Sequence, residues 1–484
     1  RLNNSLEESY ILRLGGRVMA DILIEGGTIV TVDPDRRVIK DGGIVISGDR
    51  IEAVGKIDEI KRQYSADRVI DAKGKVVFPG FVNTHTHLWQ MLLKGLGDDR
   101  VLIDWGNEMT WRSGPYYEKE DKYVAALLGC IEAIKSGTTC TADFDYPHPR
   151  PKLADPIIKA FQETGIRGVY IRGIIDWGEE YGLPPELIEN LDDALNDCER
   201  VFKEYNGSAN GRIHVWFGID TIFHATRECY EGVRALANKL KTRISAHVSE
   251  SPTYIESAIK RFGMRDLEFM DHIGFTGPDL LAVHCVLMTN RDIRILKGRD
   301  IKVSHNPTAN MYLSSGVAPI PRMIESGITV GLGVDGAASN NNQDMVQLLK
   351  ITALLHKVHH AGDPTIITCE KVLEMATIDG ARALGLENEI GSIEPGKKAD
   401  LVIMNFKKPA TVPYHHPVST LVYSATSENV DTTIIDGKIV MENREIKTVN
   451  EVEVMEKAMK VANSIVERVG LEHLRDRPWR SLAF

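Results

Sequence analysis

No stretch of the chain approaches the ~18 consecutive apolar residues that a membrane-spanning helix requires, so no membrane partner is expected. Basic residues are in the minority: 58 Lys and Arg stand against 68 Asp and Glu, a net charge of −10. That balance argues against nucleic acid or an anionic membrane surface as the main partner. Cysteine is scarce and scattered. The six (Cys130, Cys140, Cys198, Cys229, Cys285 and Cys369) contain no Cys-x-x-Cys pair. An even count suits a disulfide framework only in a small secreted chain. In 484 residues they read as reduced thiols of a cytoplasmic protein.

What is present suits a soluble enzyme. Hydrophobic residues make up 43% and charged residues 26%, which excludes a disordered or fibrous chain. The length fits one large catalytic domain with additions, or two to three domains. Residues 1–18 have no clear periodicity and read as a leader or vector segment. From Asp21 to Phe78 short β-type runs are punctuated by Gly and Asp, and the same texture returns at 397–406 and 430–444. The two flanks predict one small discontinuous β-sandwich domain, residues 19–79 and 389–450. Residues 451–484 read as a C-terminal helix and tail.

The middle alternates. Strand-like runs at 76–83, 138–144, 168–175, 213–220, 243–250, 280–286, 301–307 and 328–335 are separated by helical stretches. Repeated strand–helix units imply parallel strands. An open doubly wound sheet shares that alternation, but the polar residues favour an α/β fold closed as a (β/α)8 TIM barrel, residues 80–388. Such barrels carry their chemistry at the C-terminal strand ends. Those ends hold His85 and His87, Asp143, Arg172, Asp220, His247 and Glu250, His284, His305 and Asn306, and Asp335.

His85 and His87 are two apart, so in a strand both imidazoles share a face. His247 ends the fifth run and Asp335 the eighth. Each alone has an ordinary structural explanation. Together, three imidazoles and a carboxylate make a site for a borderline divalent metal, Zn2+ or Fe2+, and they converge only if the barrel closes. Water on such an ion loses a proton near neutral pH. Glu250 and His284 can hold that proton and return it to a leaving nitrogen.

The runs PGFVNTHTH, AHVSE, AVHC, SHNPTAN and GLGVDGAASNN resemble the amidohydrolase superfamily in its mononuclear aminohydrolase branch. The resemblance covers the chain from about Met19 to the end. It implies that His85, His87, His247 and Asp335 bind the metal and that Glu250 shuttles a proton to a ring nitrogen. It also implies that His284 and Asp335 hold the catalytic water. Binuclear relatives need a Lys on the fourth strand, and IHVWFGID offers none, so one metal ion is expected. The implied activity is hydrolytic release of ammonia from an aminated s-triazine, pyrimidine or purine ring, with that ring and water as partners and a homo-oligomer as the assembly.

Two groups within the branch are similar. Methylthioadenosine/S-adenosylhomocysteine deaminases share the His-Thr-His to Lys94-Gly95 segment, Trp105, Arg172 and the run through Ser339. The s-triazine hydrolases share Gln90, residues 312–321, 373–382 and 410–444, and a closing Trp479–Leu482; this overlap is longer. The first group implies Trp105 and Arg172 as substrate contacts, the second Gln90, and the shared motifs Asn306 and Ser339. In nucleoside deaminases of the first group a Glu stands where this chain has Gly114, and a His where it has Asp220. Both departures favour a free ring over a nucleoside. Gly336, where the triazine enzymes set their leaving group, and the deaminase-like SHNP favour ammonia over chloride.

Further readings carry less. Gly331, Gly333 and Gly336 match G-x-G-x-x-G, but no acidic ribose contact follows about 20 residues on. A non-catalytic binding protein would need no Glu250. His356, His359 and His360 read as a polar helix face or a subunit contact, and Trp89 as wall packing.

Overall fold

The structure, a computed structural model, describes residues 13–14 and 16–479. Its centre is a closed parallel barrel. The strands are β1 (Phe81–Thr86), β2 (Thr138–Asp145), β3 (Arg167–Ile174), β4 (Ile213–Ile219), β5 (Ile244–Val248), β6 (Leu280–His284), β7 (Lys302–His305) and β8 (Val330–Leu332). Nearly every residue in them is buried, because helices outside and side chains within cover both faces. The barrel expected from the alternation is the observed fold. One expected strand divides. Within 76–83, Lys75–Pro79 belongs to the small sheet and β1 starts only at Phe81. Gly80 lies between them, where a Cβ would fall 2.1 Å from Thr139 Oγ1.

The seam between β8 and β1 is thin. Leu332 and Asn83 are its one paired position. The Asn83 side chain reinforces it, accepting from Val334 N at 3.0 Å and donating to Thr141 Oγ1 at 3.1 Å. Asp335 N donates to His85 O at 2.9 Å just beyond.

The small domain is drawn from both ends of the chain, as the two β-rich flanks predict. In hydrogen-bonding terms it is one ten-stranded sheet. Its longest strand, Arg17–Val30, pairs along one side with Val38–Ser47. On the other side it pairs first with Tyr64–Asp71 and then, past Gly27, with Lys75–Pro79. That strand starts before Met19, and Arg13–Leu14 pairs with it, so residues 13–14 and 16–18 belong to the fold, while residues 1–12 and 15 of the expected leader lie outside the described residues. Alternation sets the two faces. Val77, Leu401 and Ile403 enter an isoleucine-rich cluster inside the sheet. Val76, Phe78, Val402 and Met404 pack with the main barrel core.

Charges fix this docking. Arg167, at the start of β3, donates to both oxygens of Asp400, at 2.9 and 3.0 Å, and lies 3.4 Å from Asp436. Lys398 is 3.0 Å from Asp436 and also pairs with Asp49. The helix Glu451–Val469 starts at Asn450, whose side chain accepts from Glu453 N, and stops at Gly470 in the left-handed conformation. Its Ile465, Val466 and Val469 join the main core. Among the described residues no helix is long and apolar enough to cross a membrane, and all six cysteines are free.

Candidate active site

The C-terminal strand ends converge. β1 carries His85 and leads into His87, β5 carries His247, β6 ends on His284, and Asp335 follows β8. Donor atoms of His85, His87 and His247 lie within 4.8 Å of one another, as do those of His85, His284 and Asp335. Asp335 Oδ1 is 3.4 Å from Nε2 of both His85 and His87. Nε2 of His247 and His87 are 3.3 Å apart. The chain turns sharply off the strands here: Ser249, His284, Cys285 and Asp335 all have positive φ, between 48° and 70°. Strained backbone of this kind concentrates at functional sites. It is held by Cys285 N to Val248 O at 3.0 Å and Leu287 N to Ser249 O at 2.9 Å.

This cluster fits a divalent cation. Both ring nitrogens of buried His85, and Nδ1 of His247, have no partner among the described residues, although buried polar atoms are normally paired. Burial holds His85 neutral, its pKa down to about 3, and pushes His247 well below the usual imidazole range. Burial opposes ionisation of Asp335, but the His85 ring 3.4 Å away and the other surrounding imidazoles outweigh it and hold the carboxyl far below its ordinary value. Neutral imidazoles and an anionic carboxylate are the protonation states a metal needs. His87 is aimed by its Nδ1 contact with Phe144 O at 2.6 Å, the outer hydrogen bond typical of ligating histidines.

Beside the cluster lies a cavity. Glu250 is on its wall, its Oε2 3.7 Å from His284 Nε2 and accepting from Tyr254 OH at 3.2 Å. Burial raises the Glu250 pKa, and the nearby Asp335 and Asp220 add to this against the pull of His284. His284 is fixed through Nδ1 by Asn310 Oδ1 at 2.9 Å.

Of the residues expected to meet substrate, Gln90, Trp105 and Ser339 line this cavity. Arg172 does not. Its guanidinium is taken up by Glu189, with Nη1 to Oε2 at 2.9 Å, and by Asp197, with Nε to Oδ2 at 3.1 Å. Asn306 is also absent from the wall and accepts from Ser304 Oγ at 3.2 Å. Trp111, Tyr146 and Tyr254 line the cavity although the sequence reading did not select them. Tyr254 had a usable signal, standing four residues after Glu250 at the start of a helix. Asp220 lines the wall as well, whereas Gly114 faces Leu187 and Pro147.

The three glycines of the G-x-G-x-x-G match serve close packing. Cβ atoms would fall 2.6 Å from Thr84 at Gly331, 2.6 Å from Asn306 at Gly333 and 1.9 Å from Gln90 at Gly336. His356 departs from the expected polar face: it is buried, with Nε2 3.0 Å from His305 Nε2. Trp89 packs edge-on between Tyr117 and Tyr146. The segment after β1 is clasped to the segments following β7 and β8 and to the C-terminal segment. Trp105 Nε1 donates to Ala338 O at 2.9 Å, and Asp98 accepts from Tyr312, Asn341 and Arg477.

Residues 76–440 match the amidohydrolase family. The chain belongs to that family. It is 43% identical to the 5'-deoxyadenosine deaminase of Methanobrevibacter smithii, over 88% of this chain and 94% of that protein. It is 38% identical to the 5-methylthioadenosine/S-adenosylhomocysteine deaminase of Pelotomaculum thermopropionicum, over 93% of this chain and all of that one. Among solved structures, a zinc-bound adenosine deaminase from Xanthomonas campestris superposes with a TM-score of 0.87 at 28% identity, covering 93% of this chain and all of that one. An atrazine chlorohydrolase from Arthrobacter aurescens TC1 does so at 0.85 and 24%, covering 91% and 100%; that likeness is one of fold. This family member is therefore a hydrolytic deaminase, and its buried His/Asp cluster fits a divalent metal. Over the whole chain these deaminases of adenosine derivatives, at 43% and 38% identity, are more similar than the A. aurescens enzyme at 24%.

Proposed function

We propose that the substrate is an adenosine derivative altered at its 5′ position and that the 6-amino group leaves as ammonia. The observation that carries this is Glu250, a buried carboxyl of raised pKa, set 3.7 Å from His284 beside the His/Asp cluster. The names of the relatives at 38–43% identity support the adenosine class. They weigh against the free-ring preference drawn from Gly114 and Asp220.

In this reading His85, His87, His247 and Asp335 hold one zinc ion. When bound, such an ion acidifies water and stabilises charge developing on oxygen. His284 and Asp335 position the attacking water. Glu250 gives its proton to ring nitrogen N1, which makes C6 more electrophilic. The water oxygen bonds to C6. One water proton restores Glu250 and the other passes to N6, and the C6–N6 bond breaks to free ammonia. Trp105 and Gln90 offer ring and polar contacts, and Ser339 lies on the same wall.

Ammonia release from the metal-loaded protein tests this against 5′-deoxyadenosine, methylthioadenosine, S-adenosylhomocysteine, adenosine, melamine and atrazine, with chloride scored in parallel. Adenosine derivatives should react best, and His247→Ala should lose both metal and activity. No ammonia from any adenosine derivative at full metal content would overturn the reading, and activity on melamine or atrazine alone would move it to s-triazines. Elemental analysis decides zinc against iron. A homo-oligomer is supported by an exposed apolar row, Val452, Met455 and Met459, on the last long helix, and sedimentation checks it. Free cysteines, most of them buried, are consistent with a cytoplasmic setting.

A further inference from the structure

We propose that Asp220 and Thr221, just past β4, form the subsite for the ribose hydroxyls. This rests on the adenosine-type substrate proposed above. Both residues line the cavity that holds Glu250, and both are almost fully buried. Asp220 is held rigidly: its Oδ2 is 2.7 Å from His224 Nδ1. The His224 ring is in turn wedged edge-on against Trp111 and Phe223, with centroids 4.7 and 4.6 Å away. His224 Nε2 is buried without a partner among the described residues, so the contact with Asp220 is the one polar interaction fixing that ring.

Thr221 Oγ1 is buried with no partner among the described residues, and the hydrogen bond that holds the adjacent Asp220 carboxylate is at Oδ2, from His224. A buried hydroxyl left open on a cavity wall is an exception to the pairing expected of buried groups, and a ligand that completes it removes the penalty. The chemistry of the two residues defines that ligand. A carboxylate only accepts, whereas a hydroxyl both donates and accepts. The ligand must therefore bring at least one donor to Asp220 and a second hydroxyl-like group to Thr221, which a vicinal diol supplies. An anionic group is excluded, because it would face a buried carboxylate. Glu250 and Asp220 share the one cavity, so a nucleoside bound with N1 at Glu250 can place its sugar at this wall.

The test compares kcat/KM for 5′-deoxyadenosine and for 2′,3′,5′-trideoxyadenosine in the metal-loaded wild type, Asp220→Ala and Thr221→Val. A site built to bond a hydroxyl rejects an analogue lacking it strongly, so the wild type should prefer the diol by at least ~10²-fold. That ratio should fall below about 10-fold in Asp220→Ala and fall partway in Thr221→Val, which serves if the first variant does not fold. Equal losses on both substrates, leaving the ratio intact, would assign Asp220 to structure alone and overturn the proposal. So would a wild type that does not discriminate. Failure of every adenosine compound at full metal content is a different result, which removes the substrate reading instead.

Discussion

At the scale of single residues, Glu250 joins function to instability. Its folded pKa is raised mainly by burial. The folded protein therefore holds a proton that the unfolded chain has released, once pH passes the ordinary carboxyl value of 4.5. Stability falls as pH rises through that window, and the penalty is complete above the raised folded pKa. Replacing Glu250 with Gln should lower kcat by about 10²–10⁴-fold while raising the melting temperature, with a larger gain at pH 8 than at pH 5. Thermal unfolding at equal metal content checks it, and a gain independent of pH would count against the argument. Much of this chemistry is legible in the sequence, because His85/His87 alternation and the spacing of His247 and Glu250 fix which face each side chain takes. The cavity walls are not. Arg172 reads as a ligand contact at a strand end, yet Glu189 and Asp197 arrive from distant sequence to neutralise it. Nothing local announces that capture.

At the scale of elements, the barrel depends on how β8 meets β1. A single Cα pair joins them, so the Asn83 side chain takes over part of the ladder's work. Removing it in Asn83→Ala leaves Val334 N without its buried acceptor. The expected loss is about 1–3 kcal/mol, with faster metal release to a chelator because His85 and Asp335 flank the seam. Urea unfolding and a chelator chase measure the two effects, and wild-type values in both would show that the backbone alone closes the barrel. The alternation of strands and helices was readable from composition and periodicity. The seam was not, since Asn83 looks like one more polar residue before the histidines. The division of 76–83 was hidden for the same kind of reason: Val76–Val82 is apolar throughout, and only tertiary crowding at Gly80 breaks it.

At the scale of the whole molecule, the small sheet is locked to the N-terminal end of β3, away from the catalytic strand ends. Arg167→Met would leave Asp400 buried beside a neutral side chain, while Asp436 keeps its pair with Lys398. Breaking such a pair costs roughly 3–5 kcal/mol, and the loss should appear in chemical denaturation while kcat stays near wild type. A change below about 1 kcal/mol, the range of an exposed ion pair, would show the cluster to be dispensable. The proposed ligand set has another consequence at this scale. Its members come from the first, fifth and eighth strands, 250 positions apart between His85 and Asp335. No fragment of the chain brings them together, so ion capture is a late event that reports completed assembly. During refolding, the disappearance of free metal should follow the recovery of barrel circular dichroism and never run ahead of it. In the proposed reading the ion would act as a built-in inspector of finished molecules, and its binding would add stability only to chains whose ends have met.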